Sequence, residues 1–239
     1  MNPAAVYREM AARMPYHAGV AGPDVRALAA TALGEREWWH EQLAVARRLH
    51  GAAPARVLGT IRWYSASSVL LAPVAESLVT TGSALDPALS ATTLHVLADG
   101  RFPGAHADRV LGGPAGGVAG AGRAIGETLA EVVDALAPVA DAHPRALWAI
   151  ATDSLANRLL WAGLAIGAPD RAMELADGLA DEIGDRLPRP RYVDVGRARV
   201  VRRASCCLVY EAARGGDKCT SCPRQRPADR ESRIREAMG

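Results

Sequence analysis

Residues 202–226 read RRASCCLVYEAARGGDKCTSCPRQR, and this stretch contains every cysteine of the 239-residue chain. The four are Cys206, Cys207, Cys219 and Cys222, spaced C-C-x11-C-x2-C. Four thiols within 17 residues, after 205 residues without one, predict a metal site built by the C-terminal segment. A disulfide pair or free thiols is the alternative. Disulfides suit small secreted scaffolds, and the opening residues show no secretory pattern, so reduced thiols and a cytoplasmic location are expected.

The spacing also bears on which metal is held. Zinc ribbons and knuckles usually use two C-x2-C pairs, whereas one pair here is directly adjacent. Neighbouring side chains in extended backbone point to opposite faces, so bringing Cys206 and Cys207 to one small ion requires a bent backbone. A two-iron cluster offers two metal corners and accommodates an adjacent pair more easily. The spacing therefore favours a [2Fe–2S] cluster and leaves zinc open.

The charge around the cysteines fits an electron-transfer site. Between Gly196 and Arg226 eight basic residues accompany two acidic ones, a local charge of +6 in a chain whose net charge is +2. A [2Fe–2S] core with four thiolates carries about −2 when oxidised and about −3 when reduced, and nearby cations favour the reduced form. A nucleic-acid surface is the weaker interpretation, because Tyr192 and Tyr210 are the only aromatic residues near the patch.

The run from Arg202 to Tyr210, followed by Cys219-Thr-Ser-Cys222-Pro223, resembles the C-terminal signature of the FhuF-type ferric siderophore reductases. The matching features are the double arginine, the adjacent cysteines, the tyrosine three residues after them and the C-x2-C-P ending. The family has ten residues between its cysteine pairs and this chain has eleven. The extra residue fits the turn-rich tip at 214–217. The resemblance covers roughly the last fifty residues.

The resemblance implies a [2Fe–2S] cluster held by Cys206, Cys207, Cys219 and Cys222. It also implies an iron–sulfur oxidoreductase that gives one electron to Fe(III) in a hydroxamate-type siderophore in the cytoplasm and releases Fe(II). The glycine-rich residues 112–122 lack the G-x-G-x-x-G spacing and the P-loop lysine, so we expect electrons from a ferredoxin-like protein rather than a bound nucleotide. Two alternatives stay open: a structural zinc-binding helical protein, and an iron–sulfur sensor or carrier without siderophore turnover.

The remaining pattern predicts an α+β fold with two parts: a mostly helical domain at residues 1–187 with a β-hairpin or small antiparallel sheet, and a C-terminal iron–sulfur lobe at 188–239. Helical periodicity covers 24–50, 54–81, 125–140, 144–161 and 169–186. Alternation predicts strands at 92–99 and 106–111 and a hairpin at 192–203. We expect residues 1–23 to be irregular and residues 112–122 to be a flexible connector. No apolar run reaches the length of a membrane span.

One predicted helix carries polar residues within an otherwise buried stripe. Asp153, Asn157 and Arg158 interrupt the apolar pattern that runs from Leu147 to Trp161. We interpret them as a hydrogen-bonded cluster on the flank of the helix, because buried polar groups need partners. Nothing in the sequence supports a role for them in lining a substrate site.

Overall fold

The computed structural model describes residues 2–14, 24–214 and 216–238. These residues form seven α-helices and two small antiparallel sheets, which confirms the predicted α+β fold. The helices are α1 Pro3–Arg13, α2 Arg36–His50, α3 Ala55–Thr81, α4 Val118–Ala140, α5 Pro144–Ala165, α6 Pro169–Ile183 and α7 Pro227–Met238. The strands are β1 Val25–Ala29, β2 Thr92–Leu97, β3 Gly104–Ala107, β4 Tyr192–Val195 and β5 Ala198–Val201.

The core is organised around α3, which is buried on nearly all of its faces. A helix that is apolar all round needs neighbours on every side, and α2, α4 and α5 supply them. Two polar contacts fix α5 against α3. The indole of Trp63 donates to the Leu147 carbonyl at 2.8 Å, and the Ser67 and Ser154 hydroxyls lie 2.8 Å apart. The middle of α5 is therefore held at a defined height along α3.

The three-stranded sheet has the order β1-β2-β3. The predicted strand at 92–99 is confirmed as β2, but its partner β3 lies earlier than the predicted 106–111. The predicted helix at 24–50 is wrong in its first part, where β1 and a 3-10 turn precede α2. Residues 25–29 pair antiparallel with residues 93–97, so pairing with β2 outweighs the helical preference of the alanine, leucine and arginine in this short segment.

Two segments are more regular than predicted. Residues 3–13 form α1, because the Asn2 side chain accepts a hydrogen bond from the Ala5 amide at 2.8 Å and Pro3 occupies the first helical position. The rest of that predicted irregular region, at 15–23, lies outside the described residues. The predicted flexible connector is wrong from Val118 onward, where α4 begins. A Cβ on Gly122 would lie 2.5 Å from the Cβ of Glu182, so glycine there permits α6 to approach closely.

The C-terminal part begins after Pro188, whose carbonyl accepts a hydrogen bond from Thr152 of α5 at 3.0 Å. The predicted hairpin is confirmed as β4 and β5, with Tyr192 paired to Val201. The division into domains at 187 and 188 stays a prediction. Among the helices of the described ranges, none combines the length and the apolar character that crossing a bilayer requires.

Candidate metal centre

One buried carboxylate, Asp153 of α5, holds the cysteine segment, residues 202–226, against the helical core. Its Oδ1 accepts a hydrogen bond from the Ala204 amide at 2.7 Å, and its Oδ2 accepts from the Ser205 amide at 3.0 Å and hydroxyl at 2.6 Å. The Arg203 guanidinium lies 3.4 Å from the same carboxylate. Burial raises the pKa of Asp153, because the loss of solvation outweighs these donors. Asp153 therefore fixes the three residues that lead into the first cysteine.

The backbone turns sharply after the two adjacent cysteines. Leu208 has φ 60° and ψ 10°, a left-handed conformation that costs a non-glycine residue about 1–2 kcal/mol. Its side chain is buried against Ile61 of α3, which holds the turn in place. The Leu208 amide donates to the Cys206 sulfur at 3.5 Å, and the Val209 amide lies where it lowers the pKa of Cys207. The turn thus directs two backbone N–H groups at the two sulfurs.

The C-x2-C pair lies on a second turn. The Cys222 amide donates to the Cys219 carbonyl at 3.0 Å, and the Gln225 side chain donates to the same carbonyl at 2.6 Å. Cys222 is buried and Cys219 is exposed. Cys219 lies on a basic rim, where Arg233 of α7 donates to the Lys218 carbonyl at 2.9 Å. One cysteine of this pair is therefore enclosed by protein while the other faces the surface.

The structure brings all four predicted cysteines together, and it does so in two pairs. Cys206 Sγ lies 3.6 Å from Cys222 Sγ, and the side chains of Cys207 and Cys219 interact, which lowers the pKa of Cys207 and raises the pKa of Cys219. All four are free thiols. Two sulfurs on one tetrahedral metal ion stand about 3.8 Å apart when the metal–sulfur bonds are about 2.3 Å, so the observed separation suits a shared metal.

Each pair takes one residue from the adjacent cysteines and one from the C-x2-C turn. Within the described ranges, no three His, Cys, Asp or Glu side chains form the compact group that a single ion uses. Two pairs of thiols match the number of donors in a two-iron centre with four cysteine ligands. The pairing agrees with the expectation that neighbouring side chains diverge, because Cys206 and Cys207 reach different partners.

Local electrostatics prepare one thiolate before any metal binds. The hydrogen bond from Cys219 lowers the pKa of Cys207 to about 5 although burial opposes this shift, and the Val209 amide and Arg203 act in the same downward direction. The same hydrogen bond raises the pKa of Cys219, and burial raises the pKa of Cys206 to about 11. Thiolates are the metal-binding form, so loading this site releases the remaining protons.

An open pocket of about 440 Å³ lies beside Cys206. Its walls come from α3, the turn between α4 and α5, the first half of α5 and the cysteine segment. Arg56, His143 and Arg224 supply polar groups to these walls, and Ile150 supplies apolar surface. Because Cys206 is itself a lining residue, a molecule in this pocket contacts one of the four sulfur-bearing residues directly.

The cysteine arrangement and its spacing can be compared with known proteins. Residues 203–224 match the family model for the FhuF 2Fe-2S C-terminal domain. The FhuF 2Fe-2S C-terminal domain contains all four cysteines here, and the match indicates a [2Fe–2S] cluster as the cofactor and an iron–sulfur function. It covers 22 of the 239 residues, so it identifies this domain and not the whole chain. No curated protein and no solved structure matches the chain.

The residues present fit that cofactor. Four thiols lie in two pairs, two backbone amides face the sulfurs, and a buried guanidinium stands beside them. Such donors stabilise negative charge on cluster sulfurs. The assignment of Cys206, Cys207, Cys219 and Cys222 as the ligands remains a proposal that this geometry supports.

Sequence reasoning missed the role of one residue. Asp153 was expected in a hydrogen-bonded cluster on the flank of its helix, and the structure shows it binding the cysteine segment. The other two polar residues of that stripe have partners within the helical core. Asn157 donates to the Asp153 carbonyl at 2.7 Å, and Arg158 donates to Ser68 and forms an ion pair with Glu76. A carboxylate within a buried stripe signals a buried partner, but it does not identify that partner.

Proposed function

We propose that this protein is a ferric siderophore reductase that gives one electron to Fe(III) in a hydroxamate-type siderophore and releases Fe(II). Cys206, Cys207, Cys219 and Cys222 would hold the [2Fe–2S] cluster, which supplies one-electron chemistry when bound. The observation that carries the proposal is the pocket wall formed by Cys206, because it lets a chelate contact a ligand residue of the centre. The FhuF 2Fe-2S C-terminal domain match supports the same assignment.

The proposed reaction is balanced by a single electron. An external reductant loses one electron and the chelated Fe(III) becomes Fe(II), while the bonds of the siderophore stay intact. Hard hydroxamate oxygens hold Fe(III) tightly and Fe(II) much less, so reduction itself releases the metal. Such a step requires no nucleophile or general acid from the protein. The requirement on this chain is to bind the chelate close to the centre and to shield the sulfurs around it.

The pocket chemistry favours particular chelates. Arg56 and Arg224 both pair with the carboxylate of Glu211, at 3.2 Å and 2.5 Å, so the three side chains leave one net positive charge at the pocket. Arginine carries five N–H donors, and those not used on Glu211 can donate to hydroxamate oxygens. His143 accepts from the Arg145 amide through Nδ1, which leaves Nε2 as a donor in its neutral form. We therefore expect neutral or anionic chelates to bind better than cationic ones.

The reductant is proposed to be an acidic ferredoxin-like protein that docks near Cys219. Cys219 is an exposed residue, and Lys218 and Arg233 give its surroundings a positive character. Complementary charge accelerates encounter between electron-transfer partners and makes the rate sensitive to salt. Cys206 lines the pocket and Cys219 does not, so donor and chelate need not compete for one surface.

The test uses the purified protein in an anaerobic cell. We expect a coloured protein with acid-labile sulfide, whose reduced form is reoxidised by a ferric trihydroxamate while a ferrous-specific chelator traps Fe(II). The Ga(III) form of the same siderophore is the matched control, because it has similar charge and shape but accepts no electron. It should slow the reaction by competition.

Two other outcomes would each indicate a different function for this protein. A colourless, sulfide-free preparation that contains zinc indicates the structural zinc protein. A coloured, reducible protein that the ferric chelate does not reoxidise indicates a sensor or carrier without siderophore turnover. Both outcomes refute the reductase, and only the first also refutes the cofactor.

A further inference from the structure

Arg203 is a buried cation beside the cysteine sulfurs. Its side chain is 4% exposed, and its Nη1 lies 3.5 Å from the sulfur of Cys219. The charge of Arg203 also lowers the pKa of Cys207, so the guanidinium acts on both cysteines of this pair. A buried charge is costly unless it is paired and hydrogen-bonded, so its position beside two thiols requires an explanation.

Two helices of the core hold this guanidinium in place. Asp153 of α5 lies 3.4 Å from Nε, and the ring of Tyr64 on α3 lies beneath the guanidinium carbon at 4.9 Å. Both contacts come from elements outside the cysteine segment. The side chain is therefore fixed by the helical core and cannot move away from the sulfurs without losing an ion pair and a cation–π contact.

One nitrogen of the Arg203 guanidinium lacks a hydrogen-bond acceptor in the described part of the chain. Its Nη2 is buried and has no hydrogen-bond partner among residues 2–14, 24–214 and 216–238. Buried N–H groups in folded proteins nearly always have an acceptor. Nη1 and Nη2 share the outer edge of the planar guanidinium, and Nη1 already reaches Cys219, so an acceptor at this sulfur pair can also serve Nη2. A negatively charged sulfur is an acceptor of the required kind.

We propose that Arg203 is a positioning residue of the iron–sulfur centre that raises its reduction potential by donating hydrogen bonds to the Cys207–Cys219 side. Asp153 balances the charge overall, but the member of the pair in contact with sulfur is the cation. A fixed positive charge stabilises the more negative, reduced state. The inference rests on the cysteine ligands of the proposed function and not on siderophore turnover.

The test compares midpoint potentials of loaded proteins, measured by redox titration and followed by visible absorbance and electron paramagnetic resonance. Arg203→Gln should lower the reduction equilibrium constant by about tenfold or more, which for one electron is about 59 mV. Arg203→Lys, which keeps the charge, should recover part of this loss. Arg202→Gln removes the same charge from an exposed neighbouring position and should leave the potential close to that of the parent protein.

A second variant protects the test against poor folding of the first. Asp153→Asn removes the negative partner with little change in size and keeps one oxygen for the segment's amides, so it should raise the potential. Opposite shifts in Arg203→Gln and Asp153→Asn support the proposal. Unchanged potentials in the loaded fractions, with only cluster content reduced, would show a purely structural role and overturn it. If the parent protein does not reduce the ferric chelate while the variants show these shifts, the reductase is refuted and the role of Arg203 stands.

Discussion

The most direct consequence of the structure concerns Asp153→Ala in the metal-free protein. The substitution removes the acceptor of three hydrogen bonds and leaves Arg203 as a buried cation without its carboxylate. Breaking one partner of a buried pair costs about 3–5 kcal/mol. Typical domains are stable by only about 5–15 kcal/mol, so this loss is a large share of the total. We expect a correspondingly lower free energy of unfolding.

The assay is equilibrium urea unfolding of reduced, metal-free protein, followed by far-ultraviolet circular dichroism. Asp134→Ala is the matched control, since Asp134 is an exposed aspartate on α4 and surface changes usually stay within about 0.5 kcal/mol. The midpoint should fall in Asp153→Ala without a large change in slope. A loss below about 1 kcal/mol for Asp153→Ala would refute the claim that this carboxylate holds the cysteine segment, because an average point substitution already costs about that much.

Three further predictions follow from single contacts. Gly59→Ala should destabilise the fold by about 1–3 kcal/mol in urea unfolding, because the new Cβ would lie 2.4 Å from a side chain of α4. Gly126→Ala is the control: the nearest atom to its new Cβ is at 3.5 Å, so this substitution should be neutral or stabilising. In metal-free protein, Cys207 should be alkylated first, and its rate should fall only as the pH drops through about 5, where its thiolate is protonated. Cys219→Ala removes the hydrogen bond and should move that fall to higher pH; an unchanged pH profile contradicts the assignment. Arg56→Gln should weaken binding of both the ferric chelate and its Ga(III) form by about tenfold, near 1.4 kcal/mol, and should leave the midpoint potential unchanged. Reoxidation of the reduced protein by the ferric chelate should slow accordingly. Equal rates in the variant and the parent would show that Arg56 does not bind the chelate.

Much of the fold was predictable because the apolar periodicity is strong. The helices at 55–81, 144–165 and 169–183 carry long apolar stripes and were predicted at nearly these positions. The failures lie where a short segment takes its structure from a neighbour. Residues 25–29 form a strand because β2 is available to pair with them, and Pro3 begins a helix rather than preventing one.

The sequence by itself determined that four thiols lie in one short basic segment, because their spacing and the charges around them are local properties. Only the tertiary structure decided which sulfurs lie together and what surrounds them. Asp153 is about fifty residues before the segment and Tyr64 is far earlier, and both reach Arg203 only because α3 and α5 pack side by side. A contact across that much chain depends on where helices meet, and residue spacing along the chain does not encode that position.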